Sequence, residues 1–414
     1  MKTRDGDMLK SLLNGKYYKV KRIVKNMVVL ESEDGQNQIL KEVENLNLFY
    51  KKKGLVPADN KILNKDGNGE GIMRTIFFWL CAFSLIVGLI GTATGKERET
   101  PPRNIVLIGW DGAGRNHIKE LIKTGELPNL KKLSSEGALV AIDVLRVTDT
   151  KAGWTEILTG YEPEVTGVFS NYRYGPIPKG YTVFERLKSF FGPENFAAVA
   201  VISKEGNVGA DPPTYERVLG KMENRLEECR KIDIEWESTV IAGVKYLVRP
   251  ATPYYYTKES MNTFVNGLGE DKNVGTKTFE LLNEYKDKPF FFFVHFGEVD
   301  KSGHLYGERS TQYHDALVSA DTWTGRIAQK LMELRLYDKT LIYITADHGF
   351  DIGRKWHDNA PYVFLATNDP KVVRRGTRLD IAPTILDRFG LDLSKINPPL
   401  DGHPLTKPYA APLW

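Results

Sequence analysis

A chain of 414 residues that is 41% hydrophobic and 27% charged can bury a substantial core, so global disorder is excluded and one large α/β domain with additions is expected. Its net charge of +4 is small for that length, and no dense Lys/Arg stripe interleaves with aromatics, so nucleic-acid binding is not expected. The only cysteines are Cys81, inside an apolar segment, and Cys229, which excludes a disulfide framework or a thiolate zinc cluster.

Residues 1–60 read as a small amino-terminal segment. Between Lys16 and Tyr50 the alternation of YKVKRIV and the run NMVVLES, followed by an Asp-Gly turn, predict a β-rich unit of two or three strands, with no role to assign. Residues 54–72 read as spacer. The stretch from Ile72 to Gly95 carries a single charge, Arg74, and is long enough to span a bilayer as a helix. Residues 96–102, polar and broken by Pro101 and Pro102, form a linker.

Two versions of this region compete. In one the whole chain is made, and the Lys51-Lys52-Lys53 run keeps the amino-terminal segment on the cytoplasmic side of a transmembrane helix. In the other, translation begins at Met73: Met73-Arg74 is a positive n-region, Ile76 to Ile90 an apolar h-region, and Gly91 to Gly95 a small-residue cleavage zone. Gly69-Glu70-Gly71 can be encoded by a purine-rich run of the ribosome-binding type, which favours the second version. Lipidation of Cys81 is not expected, because Trp79-Leu80 precede it. Both versions put the rest of the chain outside the cytoplasm, in the periplasm or cell envelope, anchored or secreted.

Beyond the linker, apolar runs alternate with helical patterns, which predicts an α/β core with a mostly parallel sheet flanked by helices. Residues 103–204 and 289–405 are expected to form it, with 205–288 inserted as a cap. Three apolar runs end alike. Asn104–Trp110 leads into Asp111-Gly112. Pro289–Phe296 leads to Asp300, with His304 four residues later. Thr340–Thr345 leads to Asp347-His348-Gly349, and His357 can fold back to join them.

Ligands of open α/β sheets collect outside the carboxyl ends of the strands, so these residues converge on one edge. Six Asp/His donors suit two divalent ions of the zinc class about 4 Å apart. Asp300, His304 and His357 are expected to hold one ion, and Asp111, Asp347 and His348 the other. An Asp-Gly pair alone is a common turn, and Asp-His-Gly alone is an ordinary loop. Their joint placement at strand ends carries the argument.

Thr150 stands just before the helix-like run Trp154–Leu158, which stops at Thr159-Gly160. A hydroxyl at the positive end of a helix and on a metal would be a nucleophile near neutral pH. The competing role, for Thr150 or Thr148, is a plain helix N-cap.

These motifs resemble the alkaline phosphatase superfamily, and most of all its type I phosphodiesterase/nucleotide pyrophosphatase branch. The pattern is Asp111-Gly112 after the first strand, and Thr150 ten residues before Gly160 of Thr159-Gly160 with Pro163. Asp300 to His304, Asp347-His348-Gly349 and the late His357 follow. The closing segment, with Asp380 to Thr384 and Asp401-Gly402, is similar to the end of sulfatase-like members. The resemblance covers roughly residues 103–405.

It implies that Thr150 takes the phosphoryl group into a phospho-threonine intermediate that water releases, and that Asn171 donates to a non-bridging phosphoryl oxygen. By itself Asn171 is an ordinary turn residue.

There are departures. Thr166-Gly167 stands where the family has His-Gly. Lys151 follows the nucleophile where many diesterases carry an aromatic residue, which weakens the case for a nucleotide and allows a counter-charge to a dianionic monoester. Thr150-Lys151-Ala152-Gly153 lacks the modifiable Cys or Ser of sulfatases. Lys204 lies where some monoesterases of the superfamily place a phosphate-binding lysine.

Tyr254-Tyr255-Tyr256 suits core packing better than stacking on a ligand. His117, His295, His314 and His403 show no partner. The expected function is hydrolysis of a small-molecule or envelope phosphate ester, phosphodiesters foremost. Phosphomonoester hydrolysis or transfer to an envelope acceptor is the alternative, and a non-catalytic envelope protein the rival from another class.

Overall fold

The computed structural model describes residues 4–11, 17–24, 27–32, 38–42, 50–52, 102–217, 237–241 and 243–408. Residues 72–95, expected to enter the membrane, lie outside these, as do Met73 and both cysteines. No helix among the described residues is long and apolar enough to cross a membrane. The chain divides into two units, Met1–Gly95 and Lys96–Trp414.

In the first unit, β1 (Met8–Ser11), β2 (Tyr17–Val24), β3 (Met27–Ser32), β4 (Gln38–Glu42) and β5 (Tyr50–Lys52) form an antiparallel sheet in the order β4-β3-β2-β1-β5. Alternate residues Tyr18 and Val20 on β2, and Val28 and Leu30 on β3, are buried with Leu9, so one face carries the apolar side chains. Between Lys16 and Tyr50, where two or three strands were expected, lie β2, β3 and β4; β1 precedes that stretch and β5 begins at its last residue. The short β1 and β5 carry too few residues to show an alternation.

The second unit holds an eight-stranded sheet in the order β12-β8-β13-β6-β14-β15-β7-β16. Its strands are β6 (Asn104–Trp110), β7 (Ala138–Asp143), β8 (Ala197–Ile202), β12 (Thr263–Val265), β13 (Phe290–Phe296), β14 (Thr340–Thr345), β15 (Tyr362–Thr367) and β16 (Gly376–Thr377). Only β15 runs against its neighbours. Every residue of β6, β8 and β13 is buried, as strands covered on both faces require.

The flanking helices are α1 (Arg115–Thr124), α2 (Pro128–Glu136), α3 (Thr150–Thr159), α4 (Pro163–Thr166), α5 (Val183–Phe191), α6 (Asp271–Tyr285), α7 (Glu298–Tyr306), α8 (Thr311–Glu333) and α9 (Ile381–Arg388). Helices α1, α2, α6, α7 and α8 pack among themselves, and α3, α5 and α9 form a second group.

Residues 205–288 divide. Three strands, β9 (Thr214–Arg217), β10 (Glu237–Ile241) and β11 (Val244–Arg249), make a separate antiparallel sheet. Beyond them β12 pairs with β8 in the main sheet, and α6 packs on β8 and β13. The cap-like part therefore lies before Thr263.

Candidate active site

Parallel pairing brings the site together. In register, Trp110 of β6 faces Phe296 of β13, and Gly109 faces Thr345 of β14. The three strands stop at one level, and the Asp111 N–H donates to the Phe296 carbonyl at 3.0 Å. Gly112 turns the chain away with φ of +78°, and a Cβ there would stand 2.9 Å from Asp300 Cα. Only glycine allows that approach.

The donor atoms fall into two sets whose members lie within 4.8 Å of one another: Asp300, His304 and His357, and Asp111, Asp300 and His348. The first is the trio expected from the sequence. In the second, Asp300 stands in place of Asp347. Asp300 sits on the first turn of α7 with Oδ1 3.3 Å from His304 Nε2 and 3.7 Å from His348 Nε2, so it reaches both sets. Asp347 stays close, with Oδ2 3.5 Å from His348 Nε2 and Oδ1 accepting the Gly112 N–H at 3.2 Å.

The imidazoles are held in a ligand-ready form. A backbone carbonyl can only accept, so the contacts of His348 Nδ1 with the Gly349 carbonyl (3.0 Å) and of His304 Nδ1 with the Lys355 carbonyl (2.8 Å) put a proton on each Nδ1. In the neutral ring each Nε2 then carries its lone pair. His357 Nε2 lies 3.3 Å from His304 Nε2, and its ring stacks on His348 at 3.8 Å.

Burial, then the His348 ring, lowers the His357 pKa to about 4, while the Asp300 carboxylate raises that of His304. Burial lowers His348. Asp300 Oδ1, Asp347 Oδ2 and His357 Nδ1 are buried without a hydrogen-bond partner. Orphaned lone pairs on an all-carboxylate and imidazole donor set fit divalent metal binding.

Lys204 enters this cluster from the end of β8. Its Nζ lies 2.8 Å from Asp111 Oδ1 and 2.5 Å from Asp300 Oδ2. Burial opposes its charge, but the two carboxylates more than reverse this and raise its pKa. Burial likewise opposes the charge of Asp300, and Lys204 overcomes it, holding the carboxyl well below its usual range. Asp347 is pushed well above the usual range by burial and then by Asp111.

Thr150 begins α3, with Asp149 in the cap position. Its Oγ1 is buried and lies 3.4 Å from His348 Nε2. The hydroxyl faces the cluster at the positive end of a fully buried helix. The Asn171 backbone N–H donates to Asp149 Oδ1 at 3.1 Å, and Asn171 Oδ1 accepts the Lys151 N–H at 2.9 Å. A backbone donor fixes which amide atom faces it, so Nδ2 keeps the remaining donors.

Two further residues build the site: Arg378, which the sequence did not single out, and His295, which it left without a partner. His295, on β13, places Nε2 2.8 Å from Asp111 Oδ2. A histidine alone among phenylalanines in a buried strand was the available signal. Arg378, wholly buried, joins α3 to the end of β14: it donates to Glu156 Oε2 (2.8 Å), the Asp347 carbonyl (2.8 Å) and the Val147 carbonyl (2.9 Å). Tyr254 is buried. His314 contacts Glu126 at 2.7 Å and His117 contacts Glu308 at 3.4 Å, both apart from the cluster.

A family model described as type I phosphodiesterase / nucleotide pyrophosphatase matches residues 105–384. Bis(5'-adenosyl)-triphosphatase enpp4 of Mus musculus is 26% identical over 267 residues, 64% of this chain and 51% of that protein. GPI ethanolamine phosphate transferase 1 of Emericella nidulans is 25% identical over 272 residues, 61% of this chain and 25% of that protein. The chain thus spans about half the length of the mouse relative and a quarter of the fungal one. Among solved structures, a protein in the alkaline phosphatase superfamily from Vibrio parahaemolyticus aligns with a TM-score of 0.47 at 17% identity, covering 75% of this chain and 72% of that one.

Proposed function

This chain belongs to the type I phosphodiesterase/nucleotide pyrophosphatase family, and from that premise we propose that it hydrolyses phosphate esters with Thr150 as the nucleophile. The observation that carries this reading is the Thr150 hydroxyl, buried at a helix N-terminus and 3.4 Å from His348 Nε2. Two ions of the zinc class would be held by Asp111, Asp300, His304, Asp347, His348 and His357, with Thr150 beside them. Such ions supply Lewis acidity and positive charge when bound.

The chain's own groups divide the remaining work. Thr150 Oγ attacks phosphorus; the new Oγ–P bond forms as the bond to the leaving alkoxide breaks, and the proton that Thr150 gives up passes through solvent to that alkoxide, which leaves as the alcohol. The field of α3 favours the alkoxide character of Thr150. Asn171, anchored through Oδ1, offers Nδ2 to a non-bridging oxygen whose charge grows in the transition state. Water then attacks the phospho-threonine, its proton returns to Thr150, and the phosphate product leaves.

Phosphodiesters are the first substrate class. Phosphomonoesters at the same site are the second, favoured by the buried Lys151 beside the nucleophile. The name of the mouse relative specifies a dinucleoside triphosphate, so nucleotides belong among the substrates tried. With residues 72–95 as signal or anchor, the same proposal puts the catalytic unit outside the cytoplasm; protease accessibility on intact cells tests that placement.

The decisive experiment compares wild type with Thr150→Ala on nitrophenyl phosphate, bis-nitrophenyl phosphate, nitrophenyl sulfate and nucleotides, with and without chelator. Loss of phosphate-ester turnover on the order of 10³-fold is expected for the variant. Undiminished turnover would end the threonine mechanism, and chelator-insensitive turnover the metal assignment.

A further inference from the structure

Lys151 lies on the first turn of α3, next to Thr150, with 7% of its surface exposed. A buried ammonium is ordinarily matched to a carboxylate. Among the described residues, none is within 4.0 Å of its Nζ. The partners found are neutral: Asn207 Oδ1 at 3.4 Å and the face of the Tyr174 ring, its centroid 4.6 Å away.

These contacts come from three separate segments, namely α3, the loop after α4 and the turn after β8. They hold the ammonium in place without neutralising it. Burial, the largest influence, draws its pKa down to about 8, while Asp149 attracts the proton and Arg249 repels it. The ammonium is thus desolvated, with no carboxylate in direct contact among the described residues. Its own backbone N–H donates to Asn171 Oδ1 at 2.9 Å, and the two partners of the ammonium, Asn207 and Tyr174, each lie three residues beyond a site residue, Lys204 and Asn171.

A positioned cation lacking a carboxylate is half of an anion site. The phosphoryl group of a diester brings one negative charge at neutral pH, whereas that of a monoester brings close to two. We propose that Lys151, steadied by Asn207 and Tyr174, is a subsite for the second negative charge of a dianionic phosphoryl group. The subsite strengthens binding of phosphomonoesters and of inorganic phosphate over monoanionic diesters. The inference rests on the Thr150 site proposed above and narrows its substrate by charge.

The test uses the zinc-supplemented full chain, with inorganic phosphate and dimethyl phosphate as dianionic and monoanionic probes in titration calorimetry. Turnover of nitrophenyl phosphate and bis-nitrophenyl phosphate is measured in parallel. Lys151→Met and Lys151→Gln are compared with the charge-retaining Lys151→Arg.

Loss of the ammonium should weaken phosphate by about ten-fold or more while leaving dimethyl phosphate nearly unchanged, as expected for one charge-assisted contact. The monoester-to-diester ratio of kcat/KM should fall by a similar factor, and Lys151→Arg should keep most of both. Equal weakening of the two probes, or an unchanged ratio in either neutral variant, overturns the proposal. Wild type that binds dimethyl phosphate as tightly as phosphate overturns it without any variant, so a misfolded substitution leaves the question decided. Phosphate discrimination that depends on Lys151 without any turnover would sink the hydrolytic reading alone; turnover with a Lys151-independent ratio would sink this inference alone.

Discussion

His295 Nε2 lies 2.8 Å from Asp111 Oδ2, and both side chains are wholly buried. Pairing of β13 with β6 sets His295 opposite Gly109, two residues before Asp111. A carboxylate can only accept, so Nε2 carries the proton, and the buried Nδ1 has no partner. Trp154 Nε1 donates to the same oxygen at 3.4 Å, and its ring meets the imidazole edge-on at 5.3 Å. With Oδ2 held twice, Oδ1 is left toward Lys204 and His348.

His295→Phe keeps an aromatic ring and removes the donor. Metal affinity should fall by roughly 10- to 100-fold, as when a residue orienting a ligand is lost. Chelator competition measures it, and thermal denaturation checks that the variant folds. His295→Gln, which restores an N–H, should recover part of the loss. A folded Phe variant with wild-type affinity would show that Asp111 needs no such support.

The turn after Asp111 gives a second expectation. A Cβ at Gly112 would stand 2.9 Å from both Cα and Cβ of Asp300, at a φ of +78° that side chains rarely adopt. Gly112→Ala should cost about 1–3 kcal/mol in urea denaturation and displace Asp300, which both donor sets use. Full stability with full metal affinity would mean that the two strand ends are not tightly abutted.

The Asp/His cluster was readable because β6, β13 and β14 are largely apolar runs, each followed within four residues by one of its carboxylates, Asp111, Asp300 or Asp347, and parallel pairing puts their ends level. What escaped depends on strand order and side-chain reach. The contact of Lys204 with Asp111 requires β13 to lie between β8 and β6, which no local pattern encodes. Asp300 serves both donor sets because it stands on the first turn of α7. A three-residue strand such as β12 shows no periodicity, so its place in the main sheet comes only from its pairing with β8. His295 escaped because a strand buried on both faces does not reveal what each side chain meets.

Asp271, on the first turn of α6, yields a pH-dependent prediction. Its Oδ1 accepts the N–H groups of Gly297 (2.8 Å) and Glu298 (3.3 Å), and its buried Oδ2 has no partner. Burial, and then the Glu298 charge, raises its pKa from 3.8 to about 7. The folded state thus holds a proton that the unfolded state releases. Stability from this group is greatest below pH 3.8 and falls as pH rises, with the full cost present above about 7. Asp271→Asn keeps the Oδ1 acceptor and removes the cost. In chelator, urea denaturation should show a gain of at most about 4 kcal/mol at pH 8 and almost none at pH 4. An equal effect at both pH values would mean that Asp271 folds ionised.

Lys204 makes the last prediction, which separates charge balance from fold. Its ammonium bonds Asp111 Oδ1 and Asp300 Oδ2, and Asp347 shares the cluster. In metal-free protein it is the nearest permanent cation to these buried carboxylates among the described residues. Lys204→Met should then destabilise the metal-free chain by about 3–5 kcal/mol, because buried charges lose their partner. The depressed pKa of Asp300 sets the pH window: stability from this pair is present above the ordinary carboxylate pKa of 3.8 and is lost as pH falls through the folded value. The variant should therefore lose least in acid. Zinc offers the same carboxylates another positive charge, so the zinc-induced rise in Tm should be larger in Lys204→Met than in wild type. Equal rises would mean that Lys204 and the metals do not draw on the same carboxylates, and the cluster would then have to be divided differently.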